Sequence, residues 1–402
     1  MRMTADTFDG GVTTPRGFRA SGIGVGIKAA GLDLALLVSE TPAAAAALFT
    51  VNRAQAAPVI VSRDHLRRSG GLARAVVVNS GCANACTGDA GLEAARAMAA
   101  ETARLVACPV EQVLVESTGV IGVSLPIEKI LAGLPAAARA LGTDQGPAAA
   151  RAIMTTDPFP KEACARARIG DREITVGGMA KGSGMIEPMM ATMLAFVTTD
   201  AAVAQPLIER ALGEAVNDTF NAITVDGECS TNDCVMLLAN GASGAVVTED
   251  SYAAFAGALR AVCHTLALAI VRGGEGATKL VTVTVTGAAS DAEGRRAAKA
   301  IANSLLVKTA IHGGDPNWGR LIAVAGRAGV EFNLARAAVR IGSIVLFEQG
   351  CPLDERAPEA AAYLKGIDIA VSVDLGAGCA SSTVWTCDLT AEYVRINAHY
   401  RT

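Results

Sequence analysis

The chain has 402 residues, enough for one large domain or two ordinary ones with a sizeable buried core. Apolar residues make up 51% of it and aromatic residues only 4%, so the interior must be built from Ala, Val, Leu and Ile, as in a tightly packed α/β protein. A formal net charge of -4 without any long Lys/Arg cluster gives no electrostatic footprint for a polyanion, which excludes nucleic acid as an expected partner.

The amino terminus, MRMTADTFDGGVTTPRGF, has no apolar core of signal-peptide length and carries Asp6 and Asp9, so a cytoplasmic location is expected. Next comes the glycine-rich GIGVGIKAAG from Gly22 to Gly31; its G-x-G-x-G lacks the preceding strand that a dinucleotide fingerprint needs. The apolar runs Pro42 to Phe49 and Val262 to Val271 are too short to span a bilayer, and no membrane segment is expected. Strand-like runs follow at RAVVVN near Val77, QVLVES near Leu114, LAFVTT after Thr192, VMLLANG near Met236 and KLVTVTVTG near Thr282. In the last of these Val alternates with Thr, the pattern of a strand with one buried and one polar face. Helical periodicity lies between them in GLEAARAMAAETARLV and QPLIERALGEAV, while GTDQGPAAARA around Pro147 reads as an exposed crossing. The class is mixed α/β or α+β, without a repeating βαβ period and without a low-complexity linker, so one interlocked unit is expected. Ten scattered cysteines read as reduced thiols. The C-x-x-x-C pair Cys82 and Cys86 has no second pair at metal-finger spacing, so no metal is expected.

Two segments carry chemistry. In ESTGVIG, Glu116 to Gly122, the residues Ser117, Thr118 and Gly119 stand just past a strand, where a hydroxyl and an amide can together stabilise an oxyanion. In VGGMAKGSGMIEPMMATMLAFVTTD, Val176 to Asp200, four glycines and Pro188 lead to Ala191-Thr192 at the start of a strand-like run. A small residue before a Thr at that place suits an N-to-O acyl shift, in which the hydroxyl attacks the preceding carbonyl and hydrolysis frees a new amino terminus. The plain alternative is a loop entering a core strand.

This segment resembles the cleavage signature of the ornithine acetyltransferase family, also called glutamate N-acetyltransferases. GGVTTPRGFRASGIGVGIK, NSGCANACTG, ESTGVIG, ITVDGECSTNDC, GGEGATK, HGGDPNWGR and the terminal YVRINAHYRT resemble family segments in family order, from end to end. Cys82 and Met189 depart from it, standing where polar residues such as Asn are common.

The resemblance implies an αββα layered sandwich like that of amino-terminal nucleophile hydrolases, cut into an α chain (1–191) and a β chain (192–402) and assembled as an α2β2 heterotetramer. It implies that Thr192, with its own freed α-amine as base, takes the acetyl group of N2-acetyl-L-ornithine and passes it to L-glutamate, with no cofactor. Acetyl-CoA is left open as a further donor. Thr118 and Gly119 match the oxyanion pair, and Thr155, Lys181, Thr192, Glu275, Asn397 and Thr402 match the substrate contacts. The rivals are a self-processing aminopeptidase of related fold, in which water replaces glutamate, and a non-catalytic nucleotide-binding protein using the glycine loops.

Overall fold

The computed structural model describes residues 6–187 and 193–399. They form two compact units: residues up to 221 together with 228–270, and 222–227 together with the residues from 271 on. The expected cut at Ala191-Thr192 lies outside the described residues, and the units are not the segments 1–191 and 192–402.

In the first unit nine strands share one hydrogen-bonded sheet: β1 (Asp6–Phe8), β2 (Phe18–Ile23), β3 (Leu34–Phe49), β4 (Leu72–Cys82), β5 (Val113–Val120), β6 (Lys161–Ile169), β7 (Arg172–Lys181), β8 (Leu194–Thr199) and β9 (Cys234–Ala239). The order is β1-β6-β7-β8-β9-β3-β4-β5, with β2 paired on β3. The helices are α1 (Ala57–Arg68), α2 (Gly88–Val106), α3 (Ile127–Arg139), α4 (Gly146–Ala152), α5 (Gln205–Asp218) and α6 (Tyr252–Arg272).

The sheet divides into two leaves along β3. Its first half pairs with β2 and β4, its second with β9, and the register shifts between Val38 and Ala43. Pro42, exposed at that break, has no N–H to continue a ladder. Alternation then builds the layers. Leu34, Leu36, Val77 and Val115 pack against Met98 of α2 and Ile130 and Leu134 of α3. Ala35, Leu37, Val76, Val78 and Leu114, on the opposite face, pack against Met179, Leu194, Phe196, Met236 and Leu238 of β7, β8 and β9. Beyond those strands lies α6, whose Val262 and Leu266 stand within 3.0 Å of where a Cβ on Gly178 would be. Helix, sheet, sheet, helix is the αββα sandwich that the resemblance implied.

Helix α6 is 21 residues long and apolar enough to cross a membrane by length and composition. It begins well before the apolar stretch Val262 to Val271 because Arg260 interrupts the apolar run without ending the helix. Phe255, Leu259, Val262, Leu266 and Ile270, spaced at helical intervals, are fully buried, as on the core face of a packed helix. The Pro147 segment is not an exposed crossing. It forms α4, with Pro at its start, and buries Ala149, Ala150 and Ala152 in the inter-sheet core.

The second unit contains β10 (Leu280–Ala288), α7 (Asp291–Ala302), α8 (Leu305–Gly313), α9 (Trp318–Gly326), β11 (Ala338–Ile341), β12 (Ile344–Glu348), β13 (Cys351–Pro352), α10 (Ala357–Tyr363), β14 (Asp368–Asp374), β15 (Ala380–Cys387) and α11 (Ala391–His399). Its sheet runs β13-β12-β11-β14-β10-β15. Val281, Val283 and Val285 of β10 are fully buried in the cluster with α7, α8 and α9, whereas Thr282, Thr284 and Thr286 face the other way, half-buried. This is the two-faced strand that the Val/Thr alternation predicts.

Candidate active site

Thr118 and Gly119 lie near the end of β5, paired in parallel with the end of β4. Gly119 has φ +131° and faces Gly81, and a Cβ on it would stand 2.3 Å from the Gly81 carbonyl carbon. Only glycine fits, because backbone is the obstacle. The strand end is fixed by side chains: Ser117 Oγ donates to Asn79 Oδ1 at 2.6 Å, and Asn79 Nδ2 donates to the Cys82 carbonyl at 2.9 Å. Asn232 Nδ2 donates to the carbonyls of Ser117 and Ala83 at 2.8 and 2.6 Å. Thr118 is therefore held on a braced backbone.

Its hydroxyl accepts from Lys181 Nζ at 3.2 Å, and both residues are buried. A hydroxyl that accepts in this way keeps its own proton to donate. Lys181 ends β7, and the next residue, Gly182, donates its N–H to Asp157 Oδ1 at 2.7 Å. The other oxygen of Asp157 accepts the N–H of Thr155 at 3.1 Å, so one carboxylate ties the Thr155 loop to the end of β7. Asp157 also pairs with Lys161 at 2.6 Å, both side chains completely buried. Burial pushes the Asp157 carboxyl up, but Lys181, Lys161 and the Gly182 N–H outweigh it and hold it below its ordinary value. Lys161 is lowered by burial, against the pull of Asp157.

In the second unit, Glu275 is buried and accepts from Asn397 Nδ2 at 2.7 Å. Its loop is anchored by Asp388, which accepts the N–H groups of Thr278 and Lys279 at 2.8 and 2.9 Å and the Thr278 hydroxyl at 2.5 Å. The Thr390 hydroxyl donates to the Gly276 carbonyl at 2.8 Å.

The structure thus brings Thr118, Gly119, Lys181 and, through Asp157, Thr155 together in one unit, and Glu275 and Asn397 together in the other. Ala191, Thr192 and Thr402 lie outside the described residues, as does Met189. Cys82, the other departure from the motifs, is buried and donates its thiol to the Val123 carbonyl at 3.4 Å. Among the described residues no cluster of three or more His, Cys, Asp and Glu side chains is placed to hold a metal ion. The amides of the first glycine loop are already taken: Asp33 accepts from Val25, Ile27 and Lys28 at 2.6, 2.6 and 3.0 Å. A carboxylate sits where a phosphate would have to bind, which removes the nucleotide reading of that loop.

The match to known proteins covers almost the whole chain: the model of the ArgJ family fits residues 19–402. The chain belongs to the ArgJ family. An arginine biosynthesis bifunctional protein ArgJ from Synechococcus sp. is 49% identical over all of both chains. One of the same name from Gloeobacter violaceus is 50% identical over 98% of each. The crystal structure of the arginine biosynthesis bifunctional protein from Bacillus halodurans is similar at 47% identity and a TM-score of 0.50, covering 52% of this chain and 100% of that one.

Sequence reasoning missed Asp157, Lys161 and Asp33 altogether. Asn232 and Asp233 lie inside the family segment ITVDGECSTNDC but had no role assigned. Nothing local distinguishes these residues from solvated polar ones, since their partners come from distant strands and loops.

Proposed function

We propose that the chain cuts itself between Ala191 and Thr192 and then transfers the acetyl group of N2-acetyl-L-ornithine to L-glutamate through an acetyl ester on Thr192. It is an acetyltransferase of arginine biosynthesis, activated by its own cleavage. The observation that carries the reading is the braced Thr118–Gly119 pair with Lys181 hydrogen-bonded to the Thr118 hydroxyl, in a chain related to ArgJ proteins over its full length.

Cleavage makes the base as well as the nucleophile. A free α-amino group titrates near about 8, so a useful fraction near neutral pH can accept the Thr192 hydroxyl proton. The oxyanion that forms on attack is met by the Thr118 hydroxyl and the Gly119 amide. Ornithine leaves, and the glutamate amine takes the acetyl group in the reverse sequence. One acetamide replaces another, so the exchange is nearly balanced and needs no cofactor. Glu275 suits a substrate ammonium, while Thr155, Lys181, Asn397 and Thr402 supply donors for carboxylates.

The two processed chains stay joined by ladders that cross the cut. β7 and β8 pair from Val176–Thr199 to Lys181–Leu194, and β3 pairs with β9. The solved Bacillus halodurans chain, matched in full by 52% of this one, has the length expected of one processed chain. An α2β2 heterotetramer in the cytoplasm is the assembly proposed, with light scattering as its check. Acetyl-CoA is proposed as a further donor, scored by free thiol release in the presence of glutamate.

Intact mass and turnover test the core of the reading. The wild-type protein should show two masses corresponding to 1–191 and 192–402, and Thr192→Ala a single uncut mass and no ornithine release. Ornithine formed equally fast with and without glutamate would instead make the protein a hydrolase.

A further inference from the structure

Lys28 closes the first glycine loop, where its own N–H is one of the three amides held by Asp33. Its side chain runs across the oxyanion strands: a Cβ on Gly81, the register partner of Gly119, would stand 2.9 Å from Lys28 Cγ. The half-buried ammonium at its tip donates to the Met154 carbonyl at 3.0 Å. That carbonyl belongs to the same peptide group as the Thr155 N–H, which donates to Asp157 at 3.1 Å. Lys28 therefore ends against the loop that carries Thr155. Asp157 in turn accepts the Gly182 N–H, next to Lys181, whose Nζ meets the Thr118 hydroxyl at 3.2 Å. Two ammonium groups thus border the Thr118–Gly119 pair, one from the end of β7 and one from the glycine loop.

Their charges are not matched within the protein. Asp157 is taken by Lys161 at 2.6 Å and by the two amides, and Asp33 by its three. Lys28 Nζ meets only the Met154 carbonyl and Lys181 Nζ only the Thr118 hydroxyl; among the described residues neither has a carboxylate within ion-pairing distance. Burial lowers the Lys28 ammonium below its ordinary value; Asp33 and Asp157 oppose this, and the Lys181 charge adds to it. An ammonium carries three protons to donate, so each lysine keeps two for another acceptor. An anion placed between two such cations is favoured by both.

The donor substrate carries an anion in one place only. In N2-acetylornithine the α-carboxylate carbon is separated from the acetyl carbonyl carbon by the amide nitrogen and Cα alone, and so lies within about 4 Å of it. An acetyl group seated at Thr118 and Gly119 therefore brings the α-carboxylate into the space that Lys181 and Lys28 border. We propose that Lys28 is a further substrate-binding residue, which with Lys181 clamps the α-carboxylate common to acetylornithine, ornithine and glutamate. This rests on Thr118 and Gly119 being the acetyl site, as proposed above. Because every reactant of the exchange has that carboxylate, the same two lysines serve both halves of the reaction. Donor and acceptor then differ only at the far end of their side chains, an ammonium in one and a carboxylate in the other.

Lys28→Gln keeps a donor for the Met154 carbonyl and loses the charge. In the cut enzyme it should raise KM for acetylornithine and for glutamate by about ten- to a hundredfold, the worth of a hydrogen bond to a charged group. The fall in kcat should be much smaller, since the carboxylate does not change during the reaction. N-acetylputrescine, which is acetylornithine without its carboxylate, separates substrate binding from support of the Thr155 loop. The preference for acetylornithine over N-acetylputrescine in kcat/KM should drop by the same ten- to hundredfold, about one to two powers of ten. If Lys28 only braced the loop, both donors would lose equally and the preference would stay as in wild type. That result overturns the proposal, as does a KM for acetylornithine within about twofold of wild type. Should Lys28→Gln stay uncut, Lys28→Met, similar in length but without charge or donor, is assayed in its place and judged by the same two outcomes. Failure of the underlying reading shows separately, as a wild-type protein that releases no ornithine from acetylornithine in the presence of glutamate.

Discussion

Replacing Asp157 by Ala should test whether one buried carboxylate holds both the fold and the site together. The substitution strands Lys161, whose side chain is completely buried with Asp157 as its ion-pair partner at 2.6 Å. It also strands the buried N–H of Gly182, which donates to the same oxygen at 2.7 Å. Leaving one member of a buried pair uncompensated costs about 3–5 kcal/mol, and the orphaned amide pushes the value toward the upper end of that range. Set against a typical total of about 5–15 kcal/mol, this is a third or more of the stability. Urea unfolding followed by circular dichroism reads it directly. Asp157→Ala/Lys161→Met should recover most of the loss, because an apolar side chain in place of a buried pair is often neutral. The pH dependence has a definite sign. The folded carboxyl lies below its ordinary value, so its stabilisation is complete above about pH 3.9 and disappears as the pH falls through the folded value. A single variant costing less than about 1 kcal/mol, or a double variant no more stable than the single, would refute the reasoning.

Two further substitutions separate binding from chemistry. Thr118→Ala removes one of the two proposed oxyanion donors and should slow acetyl transfer by about a hundred- to a thousandfold with little change in KM, measured as ornithine release at saturating substrate. Glu275→Gln keeps the hydrogen bond from Asn397 but loses the charge. It should raise KM for acetylornithine by about ten- to a hundredfold, the worth of a hydrogen bond to a charged group, and an unchanged KM would remove Glu275 from the substrate site.

Much of the architecture can be read along the chain, because alternation and helical period are local properties. RAVVVN and LAFVTT lie in strands, as do QVLVES after Gln112 and VMLLANG up to Ala239, and GLEAARAMAAETARLV and QPLIERALGEAV lie in helices. The segments that mark the family, and with them Thr192, Thr118 and Glu275 as candidates, are equally plain in the sequence. Only the folded chain decides that Glu40 to Pro42 mark the division between two leaves of one sheet, or that the Ala-rich Pro147 segment is buried between those leaves. The same holds for charge. Asp33, Asp157, Lys161 and Asp233 read in sequence as ordinary surface residues, and each is buried by strands and loops distant along the chain. What a carboxylate does depends on which donors reach it and how much water is left around it, and both are set by contacts that no local pattern encodes.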